Sequence, residues 1–156
     1  MKEARVDLFK ILGKVDWACI TTNGQVRYGK AVMGRGVAEQ VKTRWPLIAD
    51  ALAMQLQKNG NVPSHIGYVD TSLRWSLTDS SLKTRLFSFP TKYHWREPSD
   101  MGLILQSAWL MMQEAKDFDI DIAIPRPGCG NGGLEWEDVR ADLKKVLDDR
   151  FTIITN

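Results

Sequence analysis

The sequence is poor in cysteine. Only two cysteines, Cys19 and Cys129, occur among the 156 residues, and no CxxC spacing joins them. A small secreted scaffold held together by disulfides uses far more cysteine than this. We therefore expect two reduced thiols in a cytoplasmic protein, and we expect neither a metal site nor a cofactor.

Long apolar runs are also lacking. No segment approaches the roughly 18 apolar residues that span a membrane. The charged start Met1–Arg5 leads into no apolar stretch of the kind found in signal peptides. We therefore expect no membrane partner.

Excess charge of one sign is lacking as well. The formal net charge of +2 is too small to indicate a nucleic-acid partner by itself, although a local basic patch would be enough. A length of 156 residues and 44% hydrophobic content are typical of one globular domain. We expect residues 1–156 to form a single domain.

Strands and helices are predicted to alternate along the chain. The predicted strands are 6–9, 17–22, 65–69, 84–89, 121–124 and 151–155, with Pro90 closing the fourth. The predicted helices are 37–45, 47–57, 100–116 and 134–147, each with apolar residues at helical spacing. This alternation indicates an α/β domain whose sheet is largely parallel and covered on both faces. Loops 23–36, 91–100 and 125–133 leave the carboxyl ends of predicted strands, where such sheets bind ligands.

The most unusual of these loops is Gly128–Gly133, with four glycines in six residues. Glycine lets the backbone approach a ligand closely, and a helix N-terminus that follows favours an anion. The run satisfies GxGxxG, but a dinucleotide-binding fingerprint needs an acidic residue about 20 positions later, at the end of the next strand. Here the next predicted strand ends at the last residues of the sequence, so that interpretation fails. A turn that only reverses the chain remains the alternative, although it needs fewer glycines.

Three segments resemble the macrodomain family. The segment from Asn23 to Trp45-Pro46, with Met33-Gly34-Arg35-Gly36-Val37 inside it, is similar to the first ligand loop of macrodomains. Residues 124–136 resemble their second loop. Residues 89–96 are similar to a segment found in one branch of the family. That branch contains the human terminal ADP-ribose glycohydrolase and the DarG-type antitoxin macrodomains, which remove ADP-ribose from DNA. The resemblance covers most of the chain and implies a three-layer α/β/α fold with a mixed, largely parallel central sheet.

The resemblance also implies which residues bind ADP-ribose. Asp7 and Leu8 match the adenine contact, Asn23 faces the distal ribose, and the two glycine loops hold the diphosphate. The implied ligand-binding residues are Asp7, Leu8, Thr22, Asn23, Met33, Gly34, Gly36, Val37, Pro127, Gly128, Cys129, Gly130, Asn131, Gly132 and Gly133.

Two departures from the family pattern stand out. Residues 24–30 make the first loop longer than usual and add Arg27 and Lys30, which either contact a macromolecular substrate or are solvated loop charges. The human branch has an aspartate in the second loop, whereas this chain has Asn131-Gly132-Gly133 as the antitoxins do. A mechanism that depends on that aspartate is therefore not expected here.

Lys92 is the predicted catalytic residue, because the resembling branch has a catalytic lysine there. A lysine beside the anomeric carbon acts as a nucleophile if its pKa is lowered, or as a cation that stabilises developing charge; the alternative is a phosphate-binding or surface lysine. His94, Trp95 and Arg96 are predicted substrate contacts. A nucleophilic Cys129 paired with His94 is disfavoured, because a small residue is all that position 129 needs.

These features predict an ADP-ribosyl hydrolase whose partner is ADP-ribose or an ADP-ribosylated macromolecule, including DNA. Two alternatives stay open. One is a binding or sequestering module for ADP-ribose or a related nucleotide signal, without turnover. The other is a phosphatase acting on ADP-ribose 1″-phosphate.

Overall fold

The computed structural model describes all residues 1–156. The strands are β1 Lys2–Arg5, β2 Trp17–Asn23, β3 Val26–Arg27, β4 Lys30–Ala31, β5 His65–Val69, β6 Trp75–Ser76, β7 Thr84–Lys92, β8 Ile122–Pro125 and β9 Phe151–Thr155. The helices are α1 Leu8–Ile11, α2 Gly36–Arg44, α3 Ile48–Asn59, α4 Met101–Glu114 and α5 Trp136–Leu143, with a 3₁₀ turn at Gly130–Gly132. No helix is both long and apolar enough to cross a bilayer.

Seven strands form one mixed sheet in the order β1-β9-β8-β2-β7-β5-β6. The pairs from β1 through β7 are parallel, whereas β5 pairs antiparallel with both β7 and β6. Strands β3 and β4 form a separate two-stranded hairpin. The predicted mixed, largely parallel sheet is confirmed.

Apolar cores lie on both faces of the sheet, as the alternation of side chains along a strand requires. In β2, Ala18 and Ile20 belong to the core under α1, α2 and α3, whereas Trp17 and Cys19 belong to the core under α4 and α5. All four side chains are buried. The fold is therefore three-layered, with helices on each side of the sheet.

The strand predicted at residues 6–9 is wrong. The strand lies earlier, at Lys2–Arg5, and its side chains are exposed on the edge of the sheet. Asp7 then caps a short helix, because its Oδ1 accepts a hydrogen bond from the Phe9 N–H at 3.1 Å. A capping aspartate of this kind favours a helix start over a continuing strand.

The prediction that Pro90 ends a strand is also wrong, since β7 continues to Lys92. The backbone N–H of Ser88 donates to the Ser64 carbonyl, on the side of β5. Two residues later, the nitrogen of Pro90 faces the same side, beyond the point where β5 begins. Proline is tolerated where no ladder hydrogen bond is lost, and the extra residues carry Lys92 to the edge of the sheet.

Candidate functional site

A cavity of about 500 Å³ opens at the carboxyl ends of the central parallel strands. Strand β2 contributes Thr21, Thr22 and Asn23, β7 contributes Thr91 and Lys92, and β8 ends on its wall. Parallel strands finish at the same edge of the sheet, so loops distant in sequence meet there. The predicted location of the site at this edge agrees with the position of the cavity.

The two glycine loops face each other across this cavity. Gly36 has a φ of +59°, and a Cβ placed on it would lie 3.8 Å from Nδ2 of Asn131 in the second loop. In the second loop Gly128 has a φ of +79°, and a Cβ there would lie 2.6 Å from Cδ1 of Ile104. Position 128 therefore needs glycine for two reasons: the backbone has a positive φ, and there is no room for a Cβ. The absence of a side chain lets the loop pack closely against α4.

The N-terminus of α2 points its first turn into the cavity. Arg35 occupies the N-cap in an extended conformation and gives no side-chain cap, so no side chain accepts from the first N–H groups of the helix. Gly36, Val37 and Ala38 of this turn line the cavity. Free N–H groups and the positive end of the helix dipole together favour an anion.

The charges around the cavity have one sign. Its lining includes four basic residues and no aspartate or glutamate. The four are Arg27, Arg35, Lys92 and Arg126. Because the whole chain has a net charge of only +2, positive charge is concentrated at this edge of the molecule. The cavity suits an anionic ligand, and it contains no carboxylate for general acid–base chemistry.

Lys92 spans the gap between β7 and the second glycine loop. Its Nζ donates to the Asn131 carbonyl at 3.2 Å, and it has no carboxylate partner within 4.0 Å. Partial burial lowers the pKa of the Lys92 amine from its usual range, and the nearby Arg35 cation lowers it further. Both effects raise the fraction of neutral, nucleophilic amine.

Ser99 lies beneath the second glycine loop and is 7% exposed. Its backbone N–H donates to the Gly132 carbonyl at 2.9 Å, whereas its Oγ is buried with no hydrogen-bond partner. Buried hydroxyls almost always have a partner. Gly132 covers this hydroxyl, because a Cβ placed on the glycine would lie 2.2 Å from the Ser99 Oγ.

Comparison with known proteins shows relatives with a similar sequence and a similar fold. No protein-family model matches the chain. It is 33% identical over 113 residues to a Mycobacterium tuberculosis protein named DNA ADP-ribosyl glycohydrolase, a match that covers 72% of this chain and 30% of the relative. The macrodomain of Mycobacterium tuberculosis DarG superposes with a TM-score of 0.71 at 27% identity, covering 99% of this chain and 95% of that one.

The chain is a macrodomain of the DarG type. A second solved structure, Thermosipho africanus DarTG in complex with ADP-ribose, superposes with a TM-score of 0.71 at 25% identity, covering 91% of this chain and 38% of that one. The chain spans about 30% of the length of the curated relatives it matches.

Most residues predicted to bind the ligand line the macrodomain cavity. They are Thr22, Asn23, Met33, Gly34, Gly36, Val37, Gly128, Cys129, Gly130, Asn131 and Gly132. Asn23 also closes the base of the first loop, because its Nδ2 donates to the Val32 carbonyl at 3.0 Å and its Oδ1 accepts from the Gln25 N–H at 2.9 Å.

Four of the predicted ligand-binding residues lie outside the cavity lining. Asp7 lines a neighbouring open depression that shares Gly36 with the cavity. Leu8 and Pro127 are buried, and Gly133 lines a smaller adjoining pocket. Their roles in ligand binding remain predictions.

The predicted substrate contacts are divided between the cavity and its rim. Arg27 and Trp95 line the cavity, whereas Arg96 lines the adjoining pocket together with Trp95 and Lys92. His94 lines neither of these pockets; its ring stacks on Trp95 and its Nδ1 accepts from the Arg96 N–H at 3.0 Å. His94 therefore stabilises the loop rather than facing the cavity.

A thiol nucleophile finds no support in this arrangement. Cys129 lines the cavity, but His94 does not, so the two do not form a catalytic pair. Burial raises the pKa of the Cys129 thiol above its usual value, which lowers the thiolate fraction.

Several cavity residues were not predicted from the sequence. They are Thr21, Val32, Arg35, Ala38, Thr91, Ser99, Pro125 and Arg126. Arg35 sits between two predicted glycines, so its position in the loop was the available signal. Ser99 stands next to the cap of α4, where Asp100 accepts from the Leu103 N–H at 2.9 Å, and no sequence signal pointed to it.

Proposed function

We propose that this macrodomain is an ADP-ribosyl glycohydrolase that releases ADP-ribose from modified DNA. The observation that carries the proposal is a cavity with basic residues and no carboxylates, enclosed by two glycine loops, with Lys92 in its wall. The names of the curated relatives support the same reaction and the same substrate.

The cavity offers a place for each part of ADP-ribose. The diphosphate lies between the free N–H groups at the start of α2 and the loop Gly128–Gly133, where backbone donors and the arginines neutralise it. The adenosine end extends past Gly36 into the depression lined by Asp7. The distal ribose then lies toward Asn23 and Lys92, near the cavity wall that carries Arg27 and Trp95.

In the proposed reaction the bond between the distal ribose and the DNA breaks. Water supplies a hydroxyl to the anomeric carbon, and its remaining proton goes to the released DNA. Lys92 acts at that carbon in one of two ways. As a neutral amine it displaces the DNA and is then itself displaced by the water, which frees the ADP-ribose; as a cation it stabilises the departing group. Its lowered pKa and its lack of a carboxylate partner support an active role over a purely structural one.

We place the reaction in the cytoplasm as part of the same proposal. Cys19 and Cys129 are free thiols, which suits a reducing compartment. We also propose that residues 1–156 act as one domain.

The test is release of ADP-ribose from a single-stranded oligonucleotide that carries it, followed by chromatography. The wild type is expected to turn over, and Lys92→Ala to lose roughly 100-fold or more in kcat/KM while still binding ADP-ribose in calorimetry. Lys58→Ala, an exposed lysine at the end of α3, is the matched control and keeps full activity. Binding without any release would support a sequestering module instead, and full activity of Lys92→Ala would remove Lys92 from the mechanism.

A further inference from the structure

The hairpin β3–β4 holds an aromatic residue in an unfavourable backbone conformation. Tyr28 is at its tip with a φ of +54°, followed by Gly29 at +75°. Tight hairpin turns with two such residues favour asparagine or aspartate before the glycine. A bulky residue in this region is an outlier that calls for a reason.

Folding supplies no reason for Tyr28. The other non-glycine residue with positive φ is Leu73, at +59°. Leu73 packs against the core, and its carbonyl accepts from Nε1 of Trp45 at 3.0 Å. Tyr28 is instead 94% exposed, and the neighbouring Arg27 guanidinium lies 5.8 Å from its ring centroid.

The same hairpin carries a second unfavourable feature. Arg27 and Lys30 are directly paired across its two strands, so their side chains leave the same face. Like charges placed opposite each other destabilise a strand pair. Both residues are exposed, and no carboxylate lies within 4.0 Å of either.

The hairpin is held at its base, beside the mouth of the cavity. Ala31 is buried in the core, and Nε2 of Gln25 donates to the Tyr93 carbonyl at 3.3 Å. The segment after β7 is thereby joined to the hairpin, and it adds Trp95 with the Arg96 guanidinium 4.6 Å from its ring centroid. Each of the two segments thus pairs an aromatic ring with a cation at the rim, where Arg27 and Trp95 enter the cavity lining.

We propose that this rim, formed by the hairpin β3–β4 and residues 93–96, binds the single strand of DNA that flanks the modified nucleotide. Tyr28 stacks on a nucleobase, and Arg27 and Lys30 contact the neighbouring phosphates. Alternating rings and cations are the usual means of binding single-stranded nucleic acid. The inference rests on the proposed function, because it assumes that the ADP-ribose in the cavity is attached to DNA.

The alternative partner, a modified protein, accounts for less of the hairpin. An acidic peptide would pair with Arg27 and Lys30, but it would gain nothing from a strained, fully exposed tyrosine ring. A nucleobase has a flat face for the ring and a phosphate for each cation. Single-stranded DNA is therefore the occupant that uses both features.

The test is the affinity for a short, fluorescently labelled, unmodified single strand, measured by anisotropy at fixed salt. Tyr28→Asn keeps a residue that accepts positive φ, so the hairpin persists without its ring. We expect roughly tenfold weaker binding by Tyr28→Asn, and near wild-type binding by Tyr28→Trp. Trp109→Ala, at an exposed tryptophan on α4, is the control and binds as the wild type does.

Separate measurements distinguish failure of this inference from failure of the proposed function. Equal single-strand affinity of Tyr28→Asn and wild type overturns the inference, as does a wild type that binds no single strand. If the wild type nevertheless releases ADP-ribose from DNA, the proposed function stands without the rim. A further contradiction would be a KM that rises equally in Tyr28→Asn for an ADP-ribosylated oligonucleotide and an ADP-ribosylated peptide, because only the oligonucleotide should lose a contact.

Discussion

At the scale of single residues, the proposed chemistry of the site depends on Lys92 and the arginine beside it. The Nζ of Lys92 has only a backbone carbonyl as hydrogen-bond partner, and both burial and Arg35 disfavour its charged form. Asn131 supplies that carbonyl from the loop that faces Gly36. The lysine is thus positioned by the same two loops that enclose the cavity.

The pH dependence of kcat/KM should report the titration of Lys92. If the neutral amine attacks, kcat/KM rises with pH, with a midpoint below the ordinary lysine pKa. If the cation is the active form, kcat/KM instead falls as pH rises through the same pKa. Arg35→Met removes a positive charge and raises the Lys92 pKa, so either limb moves to higher pH. An unmoved limb in Arg35→Met would show that Arg35 does not act on the titrating group.

The individual residues of the site were only partly predictable. The glycines and Lys92 stand in recognisable segments, so their position at the sheet edge followed from the alternation of strands and helices. Ser99 was not singled out in this way, because its hydroxyl lines the cavity only where the second glycine loop packs over it. Asp7, by contrast, was predicted from the family resemblance, but it lines a neighbouring depression and not the cavity itself.

At the scale of the elements, the hairpin β3–β4 is the part of the fold whose sequence disagrees most with its structure. A tyrosine in the left-handed region costs about 1 kcal/mol. Tyr28→Asn should therefore raise the free energy of unfolding by about that amount and Tm by roughly 2–4 °C for a chain of this length.

Urea titration and thermal melts would measure this gain. Leu73→Asn is the comparison, because it removes the same backbone strain but also removes an apolar side chain that packs against the core. It should lower stability. A Tyr28→Asn variant no more stable than the wild type would mean that the turn carries no strain.

The elements that were predicted well are those with a long periodic pattern. Helices α2, α3 and α4 and strand β9 have apolar residues at regular spacing and lie where expected. The two-residue strands β3, β4 and β6 are too short to show a recognisable sequence pattern. They form by pairing with another strand, β3 with β4 and β6 with β5. Helix α5 ends at Leu143, earlier than its apolar pattern suggested, and the following turns still bury Leu147.

At the scale of the whole molecule, the strand pairing of the sheet changes from parallel to antiparallel at β7. On one side β7 pairs with parallel β2, and on the other with antiparallel β5. A histidine secures the antiparallel part. Nδ1 of His65 on β5 accepts from Nε of Arg85 on β7 at 2.9 Å, and its Nε2 bonds to the Leu77 carbonyl at 2.8 Å.

This arrangement should make global stability depend on pH. Burial, opposed by the bond to Leu77 and aided by the Arg85 charge, lowers the pKa of His65 below its ordinary value of 6.5. The unfolded chain therefore binds a proton more readily, so the contribution of His65 is complete above pH 6.5 and is lost as pH falls through its folded pKa. Urea midpoints at neutral and mildly acidic pH would measure the loss.

The matched variant is His65→Gln, whose amide can accept from Arg85 and donate to Leu77 without titrating in this range. Its stability should fall less between the two pH values than that of the wild type. Equal losses in the two proteins would assign the pH dependence to other groups.

The position of Trp95 gives the molecule its own optical signal. Of the six tryptophans, Trp95 alone lines the cavity, and it also borders the adjoining pocket with Arg96. Anything that enters either space changes the surroundings of that indole, and so its emission. Occupancy of the site can therefore be followed by intrinsic fluorescence in the unlabelled protein, including during turnover.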